Sequence, residues 1–327
     1  MAIEKVRVSL GTAIVIGLKQ GRLPHPPTTA YLMVGEECVN NCAFCTQARG
    51  ASSSGELLSR VTWPEFALDE VLLSLQGARE KGFSRICLQS LTDPRSLNEL
   101  PSLIERLIIA SRLEVSVSIS PVDKPLLRRI KEAGAERVGI AIDGASPEVF
   151  RRIKGEDVGN PYTWEGNWRS LEKAVGIFGE GFVSTHIIVG LGETDRDIVG
   201  SMIKARKMGV LASLFAYTPM KGTKRIGEPP DLGRYRALQL ARSIVFDSGL
   251  TEGFGFDESD KLTEVPVKEE GLKLEPSLTF MTRGCPDCNR PYYNERPRGP
   301  LFNYPSPLSE EESREAMMQA IGYILGV

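Results

Sequence analysis

From residue 30 to residue 217, short runs rich in β-branched and apolar residues alternate with stretches whose apolar positions recur at helical spacing. The β-type runs are 30–36, 84–89, 113–119, 136–142, 182–189 and 211–217, and two weaker ones, 252–256 and 277–282, bring the number to eight. Several helix signals lie between them. Thr62 and Glu65 read as a capping box ahead of a helix running to about Lys81. Ser146 followed by Pro147 reads as an N-cap with proline at the first helical position. Leu238, Ala241 and Val245 share one helix face, and 10–18 predicts a short N-terminal helix. Alternation of this kind predicts parallel βαβ units, of which eight close a barrel and six leave an open crescent. The expectation is an α/β protein: a (β/α)8 TIM-type barrel, complete or nearly complete, over 31–282. An N-terminal extension (1–30) precedes it, and an irregular loop with a C-terminal helix (283–327) packs on it.

The length of 327 residues fits one such barrel or two smaller domains. With 40 basic and 42 acidic residues the formal charge is −2, so no global field points to nucleic acid. No apolar run approaches the roughly 20 residues of a membrane span. Glu4 precedes the apolar 10–18 run and no small-residue cleavage site follows it, so secretion is not expected. Six cysteines fall as a trio (Cys38, Cys42, Cys45), a pair (Cys285, Cys288) and the single Cys87. Cysteines three or four apart suit a metal or cluster better than a structural disulfide, which predicts a reducing, cytoplasmic setting. With only His25 and His186 present, His-based metal sites and Ser-His nucleophilic chemistry are nearly excluded. Residues 46–61 and 155–167 read as loops and 283–307 as irregular. In parallel barrels the loops after the strands carry the site. The trio follows the first run and the pair follows the eighth.

The segment GEECVNNCAFC sets Cys38-x3-Cys42-x2-Cys45, with Phe44 before the last cysteine. Three thiolates on one loop suit three irons of a 4Fe–4S cube and leave the fourth iron open. A zinc knuckle competes, but a closed zinc site wants four ligands and no fourth Cys or His lies nearby. The motif resembles that of the radical S-adenosylmethionine (SAM) superfamily. There the open iron binds the amino and carboxyl groups of SAM, and one electron from the cluster cleaves it to methionine and a 5′-deoxyadenosyl radical.

Over about residues 30–285 the chain is most similar to the biotin synthase-like branch. HIIVGLGET (186–194) resembles the family's adenine motif, with Ile188, Gly190 and Glu193 matching. His186 stands where glycine is usual and reads as a pocket histidine. GIAIDGASPEVF implies a ribose-binding role for Asp143, with a turn or helix cap as the competing role. Arg169 is the nearest match to the basic residue that holds the methionine carboxylate. Gln89 and Ser90 match the strand end that meets the methionine amino group.

Biotin synthases also hold an auxiliary cluster on three strand cysteines and an arginine. Cys87 matches one of these positions, Ser116 and Ser184 occupy the other two, and GFGFDESD shows no arginine. The pair in GCPDCNRPYYNERPRGP offers a different set. Cys285 and Cys288 with Cys87 give three thiolates facing one cavity, with Ser116, Ser184, substrate or nothing as the fourth ligand. A zinc pair shared across a dimer and an unoccupied CxxC compete with this reading. The CNRPYYNERP tail resembles the archaeal-type two-protein lipoyl synthases, although the Arg-Ser-Ser-Tyr motif and second N-terminal trio of the bacterial enzymes are absent. The resemblance implies a radical SAM sulfurtransferase inserting sulfur into the C–H bond of a protein-bound octanoyl-lysine. Its cofactors would be a 4Fe–4S cluster, SAM and an auxiliary 4Fe–4S cluster, with Cys285 and Cys288 serving sulfur delivery. Its partners would be an octanoylated carrier protein or lipoyl domain, a paralogous second lipoyl synthase component and an electron donor such as ferredoxin, with no nucleic acid and no membrane. Arg283, Arg290, Arg296 and Arg298 either meet an acidic carrier or are merely solvated. Two alternatives remain: another biotin synthase-like radical enzyme, such as a carbon-skeleton mutase or cluster-maturation enzyme, or a non-catalytic iron–sulfur carrier.

Overall fold

The computed structural model describes residues 3–267, 272, 274–295 and 299–327. Its centre is an eight-stranded sheet. In chain order the strands and helices begin β1 (Lys5–Val8), α1 (Leu10–Val15) and β2 (Thr29–Val34), then a two-residue hairpin of β3 (Leu57–Leu58) and β4 (Val61–Thr62). There follow β5 (Glu65–Ala67), α2 (Leu68–Ser74), β6 (Arg85–Ser90), α3 (Pro94–Ser111), β7 (Glu114–Ile119), α4 (Lys124–Glu132) and β8 (Ala135–Ile140). The series continues with α5 (Pro147–Ile153), α6 (Trp164–Phe178), β9 (Val183–Val189), α7 (Asp195–Lys207), β10 (Val210–Ala216) and α8 (Leu232–Ser243). The hairpin β11 (Gly255–Phe256) and β12 (Leu262–Glu264), then α9 (Pro276–Thr279) and α10 (Glu310–Leu325), complete the chain.

The sheet order is β10-β9-β8-β7-β6-β2-β1-β5, and the six strands from β10 to β2 are parallel. These six are the six strong runs of the sequence. Four crossover helices open on a side-chain cap that satisfies a free backbone N–H, Asp93 for α3, Asp123 for α4, Thr163 for α6 and Thr194 for α7, whereas α2 starts at Ala67 without one. Ser146 caps α5 with Pro147 behind it, as expected. The outer sheet face and the helices share one apolar core that includes Leu32, Leu88, Val117, Ile140 and Val189.

Among the described residues the sheet does not close: β10 and β5 are its two edges, and it is an open crescent. The run 252–256 yields only the hairpin strand β11, and 277–282 yields α9 plus a single bridge from Met281 to Tyr304. Pro276 at the first helical position sets φ for a helical turn and donates no ladder hydrogen bond, which favours α9 over a strand. The capping box at Thr62 also fails. Glu65 lies in β5 and pairs with Lys5 of β1 at 2.8 Å, so the helix starts only at Leu68. The antiparallel pair β1–β5 extends the edge that a closed barrel would have joined to β10.

Residues 284–295 bridge the open side. Near the amino ends of β2 and β6, Thr28 bonds to Asp287 and Asn289, and the Arg85 guanidinium donates to the Pro286 carbonyl at 3.0 Å. The segment then runs past Tyr31 of β2. Beyond the carboxyl end of β10 the Thr218 hydroxyl meets the Asn294 carbonyl (3.3 Å), and the Ser59 hydroxyl donates to the Tyr293 carbonyl (3.1 Å). Helix α10 packs against α8, with the Tyr323 hydroxyl on Asp195 at 2.8 Å.

Candidate functional site

The cysteine trio sits on the loop leaving β2. At Gly35, φ is +107° and a Cβ would stand 2.8 Å from that of Leu91, so only glycine lets the chain turn off the strand there. The loop is tied to three neighbouring elements. Val39 N–H donates to Thr92 (3.0 Å), Ala43 N–H to Ile153 (2.7 Å), and Arg225 N–H to Ala43 (2.7 Å). Cys38, Cys42 and Cys45 are half-buried. The Cys42 Sγ accepts from Asn160 Nδ2 at 3.6 Å and the Cys45 Sγ from Gln47 N–H at 3.4 Å. Burial pushes the Cys42 thiol up to about 12 and Cys45 higher still, with the neighbouring cysteines adding to both.

These thiols therefore ionise only with a cationic partner beside them. The thiolates of one tetrahedral zinc stand roughly 3.8 Å apart, from a Zn–S bond of about 2.3 Å. Among the described residues no three His, Cys, Asp or Glu side chains come together closely enough for a single ion. Wider-set thiols with N–H donors on their sulfurs fit an iron–sulfur cube, whose potential such hydrogen bonds tune.

Beside the trio opens a cavity lined by Phe44, Cys45, Gln89, Asp143, His186 and Ile188. Asp143 follows β8 in the left-handed region (φ +58°), where its backbone extends the ladder to β9 through His186 and Ile188. Its carboxylate is not a turn cap. It is ion-paired at 2.6 Å with Lys154, a side chain absent from the sequence reading. Lys154 is buried at the end of α5 and also donates to the Ala141 carbonyl. Burial works against its charge, but Asp143 and Cys42 hold its pKa above the ordinary value. Lys154 is therefore the cation next to the trio.

Arg169, assigned that role from the sequence, is exposed on α6 in a surface groove with Lys124, Arg128 and Glu172. It lies one helical turn beyond the capped start of α6 on the outward face, so it does not line the cavity. Glu193 does not line it either. Its buried carboxylate accepts from Gly190 N–H (2.7 Å) and Leu191 N–H (2.8 Å), holding the turn after β9, and meets Arg234 at 3.3 Å. Gly190 needs its φ of +105°, because a Cβ would press on Pro230 and Tyr217 at 3.2 Å. The Ser90 hydroxyl is turned to the Leu91 carbonyl. His186 packs edge-on against Phe215 (4.9 Å), and burial lowers its pKa to about 3, so it is a neutral pocket histidine as expected.

The second set of thiols lies deeper. Ladder register places Tyr31 level with Cys87, and Cys87 level with Ser116, so the three project to one face of the sheet. Ser184 registers with Gly139 and through it with Ser118, a different row. Cys285 and Cys288 reach this interior from the amino ends of the strands, opposite the trio, rather than from the end of an eighth strand. Cys288 Sγ is 3.3 Å from the Tyr31 hydroxyl. Burial raises the Cys285 thiol, Cys288 raises it further, and Ser116 and Arg85 pull it back. Burial likewise pushes Cys87 up to about 12, with Arg290 opposing and both Cys285 and Cys288 adding.

The structure places Cys285 and Cys288 near Cys87, the three that the sequence reading grouped, and adds Tyr31, Arg85 and Arg290, none of which that reading placed there. Arg290 is no docking residue. Its guanidinium stacks 4.6 Å from Phe215 and 5.3 Å from Tyr293 inside the barrel, and its backbone N–H donates to the Tyr31 hydroxyl at 3.0 Å. Arg283 pairs with Asp247 at 3.4 Å, and Arg296 and Arg298 lie outside the described residues.

A family model described as the Radical SAM superfamily matches residues 32–204, more than half of the chain. The chain belongs to this superfamily. Radical SAM membership carries with it a 4Fe–4S cluster and SAM as cofactors. Among curated relatives, the ribosomal protein uS12 methylthiotransferase RimO of Oleidesulfovibrio alaskensis is 27% identical over 285 residues, covering 81% of this chain and 63% of that protein. A biotin synthase of Saccharopolyspora erythraea is 24% identical over 176 residues, covering 53% of this chain and 46% of that protein. The chain thus spans about half to three fifths of the length of these radical SAM relatives. The crystal structure of methylornithine synthase superposes with a TM-score of 0.51 at 18% identity, covering 62% of this chain and 56% of that one. The FeFe-hydrogenase maturase HydG of Carboxydothermus hydrogenoformans gives 0.52 at 18% identity, covering 66% and 51%. Both share the fold of this chain over the superposed part. No helix among the described residues is long and apolar enough to cross a membrane.

Proposed function

We propose that the protein is a radical SAM sulfurtransferase that inserts sulfur into an unactivated C–H bond, with an octanoyl-lysine arm as substrate, as in a lipoyl synthase component. The observation that carries this reading is the second thiol set. Cys87, Cys285 and Cys288 lie close enough to perturb one another on the inner face of the sheet, separately from the cavity that Cys45 lines. The relatives whose printed names are biotin synthase and methylthiotransferase support it as chemistry of one kind.

The trio would hold the 4Fe–4S cluster, and the deeper cysteines an auxiliary cluster. Bound there, the two groups supply an electron for cleavage of SAM and a sulfide for the carbon. The chain's own residues do the rest. Lys154, buried behind the cavity wall, holds Asp143 by an ion pair, and Asp143 in the lining presents acceptor oxygens to the cofactor. Glu193 holds the Gly190 turn that follows β9. Tyr31, Phe215 and Tyr293 keep water from the sulfur-bearing interior. An octanoylated carrier or lipoyl domain, a paralogous second component and a ferredoxin-type donor follow from this reading as partners.

The test is iron and sulfide counting with product analysis on anaerobically reconstituted protein. Wild type should hold more than four irons. Replacing Cys38, Cys42 and Cys45 with Ala should abolish SAM cleavage. Cys285→Ala/Cys288→Ala should keep about four irons and SAM cleavage but form no carbon–sulfur bond on octanoyl-lysine. Thiolated product from the double variant, or only four irons in the wild type, would overturn the proposal.

A further inference from the structure

The inner face of the sheet carries a row of side chains across three neighbouring strands. Tyr31 of β2 stands level with Cys87 of β6, and Cys87 level with Ser116 of β7. A hydroxyl thus flanks the thiol on each side, one strand spacing of about 4.8 Å away. All three side chains are buried. Segment 284–295 sets one further sulfur on each hydroxyl. Cys288 Sγ is 3.3 Å from the Tyr31 hydroxyl, and the Cys285 sulfur is hydrogen-bonded to the Ser116 hydroxyl.

Each hydroxyl oxygen is already an acceptor. The Arg290 backbone N–H donates to Tyr31 at 3.0 Å, and the Arg85 guanidinium donates to Ser116 at 3.0 Å. A hydroxyl has a single proton, and a donor on its oxygen leaves that proton free to point the other way. On the other side stands a cysteine sulfur in both cases. A thiolate has no proton and can only accept. Both contacts are therefore fully satisfied when Cys285 and Cys288 are anionic sulfurs, as they are on a metal. Two unrelated N–H donors, one from backbone and one from a side chain, produce the same order of N–H, hydroxyl and sulfur at the two ends of one row.

We infer that Tyr31 and Ser116 are positioning residues that donate hydrogen bonds to the Cys288 and Cys285 sulfurs, and so raise the reduction potential of the group that these sulfurs hold. Ser116 is then a donor to a ligand rather than the fourth ligand itself. The inference rests on the reading that the second thiol set binds an iron–sulfur cluster. Hydrogen bonds to the sulfurs favour the more negative, reduced state, which shifts the potential upward.

The test uses the full chain carrying Cys38→Ala, Cys42→Ala and Cys45→Ala, so that only the second set binds iron. Its potential is measured by an anaerobic redox titration followed by electron paramagnetic resonance, with and without Tyr31→Phe or Ser116→Ala. Each variant should keep its iron, because all three thiolates remain. Each should make reduction about tenfold less favourable, a shift of about 59 mV to lower potential for one electron. Electron–nuclear double resonance on the reduced cluster should show a proton that exchanges in D2O, and its signal should diminish in each variant.

A change of less than about twofold, a shift to higher potential, or loss of the iron overturns the assignment of the residue concerned, and the same result in both variants overturns the inference. No iron in the chain without the trio overturns the sulfur-insertion reading as well. If both potentials fall as expected and the wild type forms no carbon–sulfur product, the sulfur-insertion reading falls and the two hydroxyl assignments stand.

Discussion

Replacement of Lys154 by Met tests the electrostatics of the cofactor side directly. The methionine stem keeps most of the lysine volume, so the change removes a charge rather than opening a hole. At 2.6 Å, and at an effective dielectric constant of about 20, the Lys154–Asp143 attraction is roughly 6 kcal/mol. Burial of both groups offsets much of this, since their side chains are 6% and 12% exposed. Removing one partner leaves the other charge buried and unpaired, which costs about 3–5 kcal/mol. For a chain of this length that corresponds to a fall in Tm of about 4–7 °C.

Lys154→Met/Asp143→Asn removes both charges and should recover at least half of the loss. Asn is the right replacement because it tolerates the left-handed conformation at φ +58°. The sign with pH follows from the raised pKa of Lys154. Its contribution is present in full below the ordinary value of 10.5 and is lost only as pH climbs through the higher folded value. The difference between wild type and single variant should therefore stay level from pH 7 to 9. The assay is anaerobic thermal and urea unfolding at matched iron content. A single variant within about 2 °C of wild type, or a double variant no more stable than the single, would refute the reasoning.

Two further predictions concern the same end of the barrel. His186 has its pKa lowered to about 3 by burial, so below pH 6.5 the unfolded chain binds a proton that the native site refuses. Stability should drop by up to about 1.4 kcal/mol per pH unit between 6.5 and 3. His186→Gln should flatten that limb in urea titrations at pH 7, 6 and 5, and parallel curves would count against the assignment. Glu193→Ala frees the Gly190 and Leu191 N–H groups and the Arg234 charge. It should cost about 3 kcal/mol in the urea midpoint, from charge-assisted bonds of about 1.5–3 kcal/mol each.

Much of the site was legible where its signal is local. The trio spans eight residues, and three thiols so close on one loop have few uses. The Ser146–Pro147 start of α5 and the six parallel strands were equally plain, because capping and burial on both sheet faces write themselves into neighbouring residues. Arg169 failed for a related reason. A basic residue near a helix start is easy to find, but whether it faces the cavity depends on helix rotation. Lys154, at the other end of the preceding helix, is the residue that packing turns inward.

Strand periodicity in the sequence determined the parallel α/β class, the spacing of the cysteine trio pointed to the superfamily it resembles, and the grouping of Cys87 with Cys285 and Cys288 came from the likeness to biotin synthases. Whether the barrel closes was decided elsewhere. A weak strand exists only if a sheet edge is free to pair with it, and β1 and β5, distant in sequence but paired with each other, occupy the edge where a closing strand would join.

 The direction from which Cys285 and Cys288 enter followed from that same choice. With only six parallel strands in the sheet among the described residues, the chain crosses the open side from the amino ends of the strands upward. This path sets Cys288 against Tyr31, 257 residues away, and buries Arg290 among aromatic rings. Such contacts are worth their energy only once the sheet has brought distant segments together, so no local pattern records them.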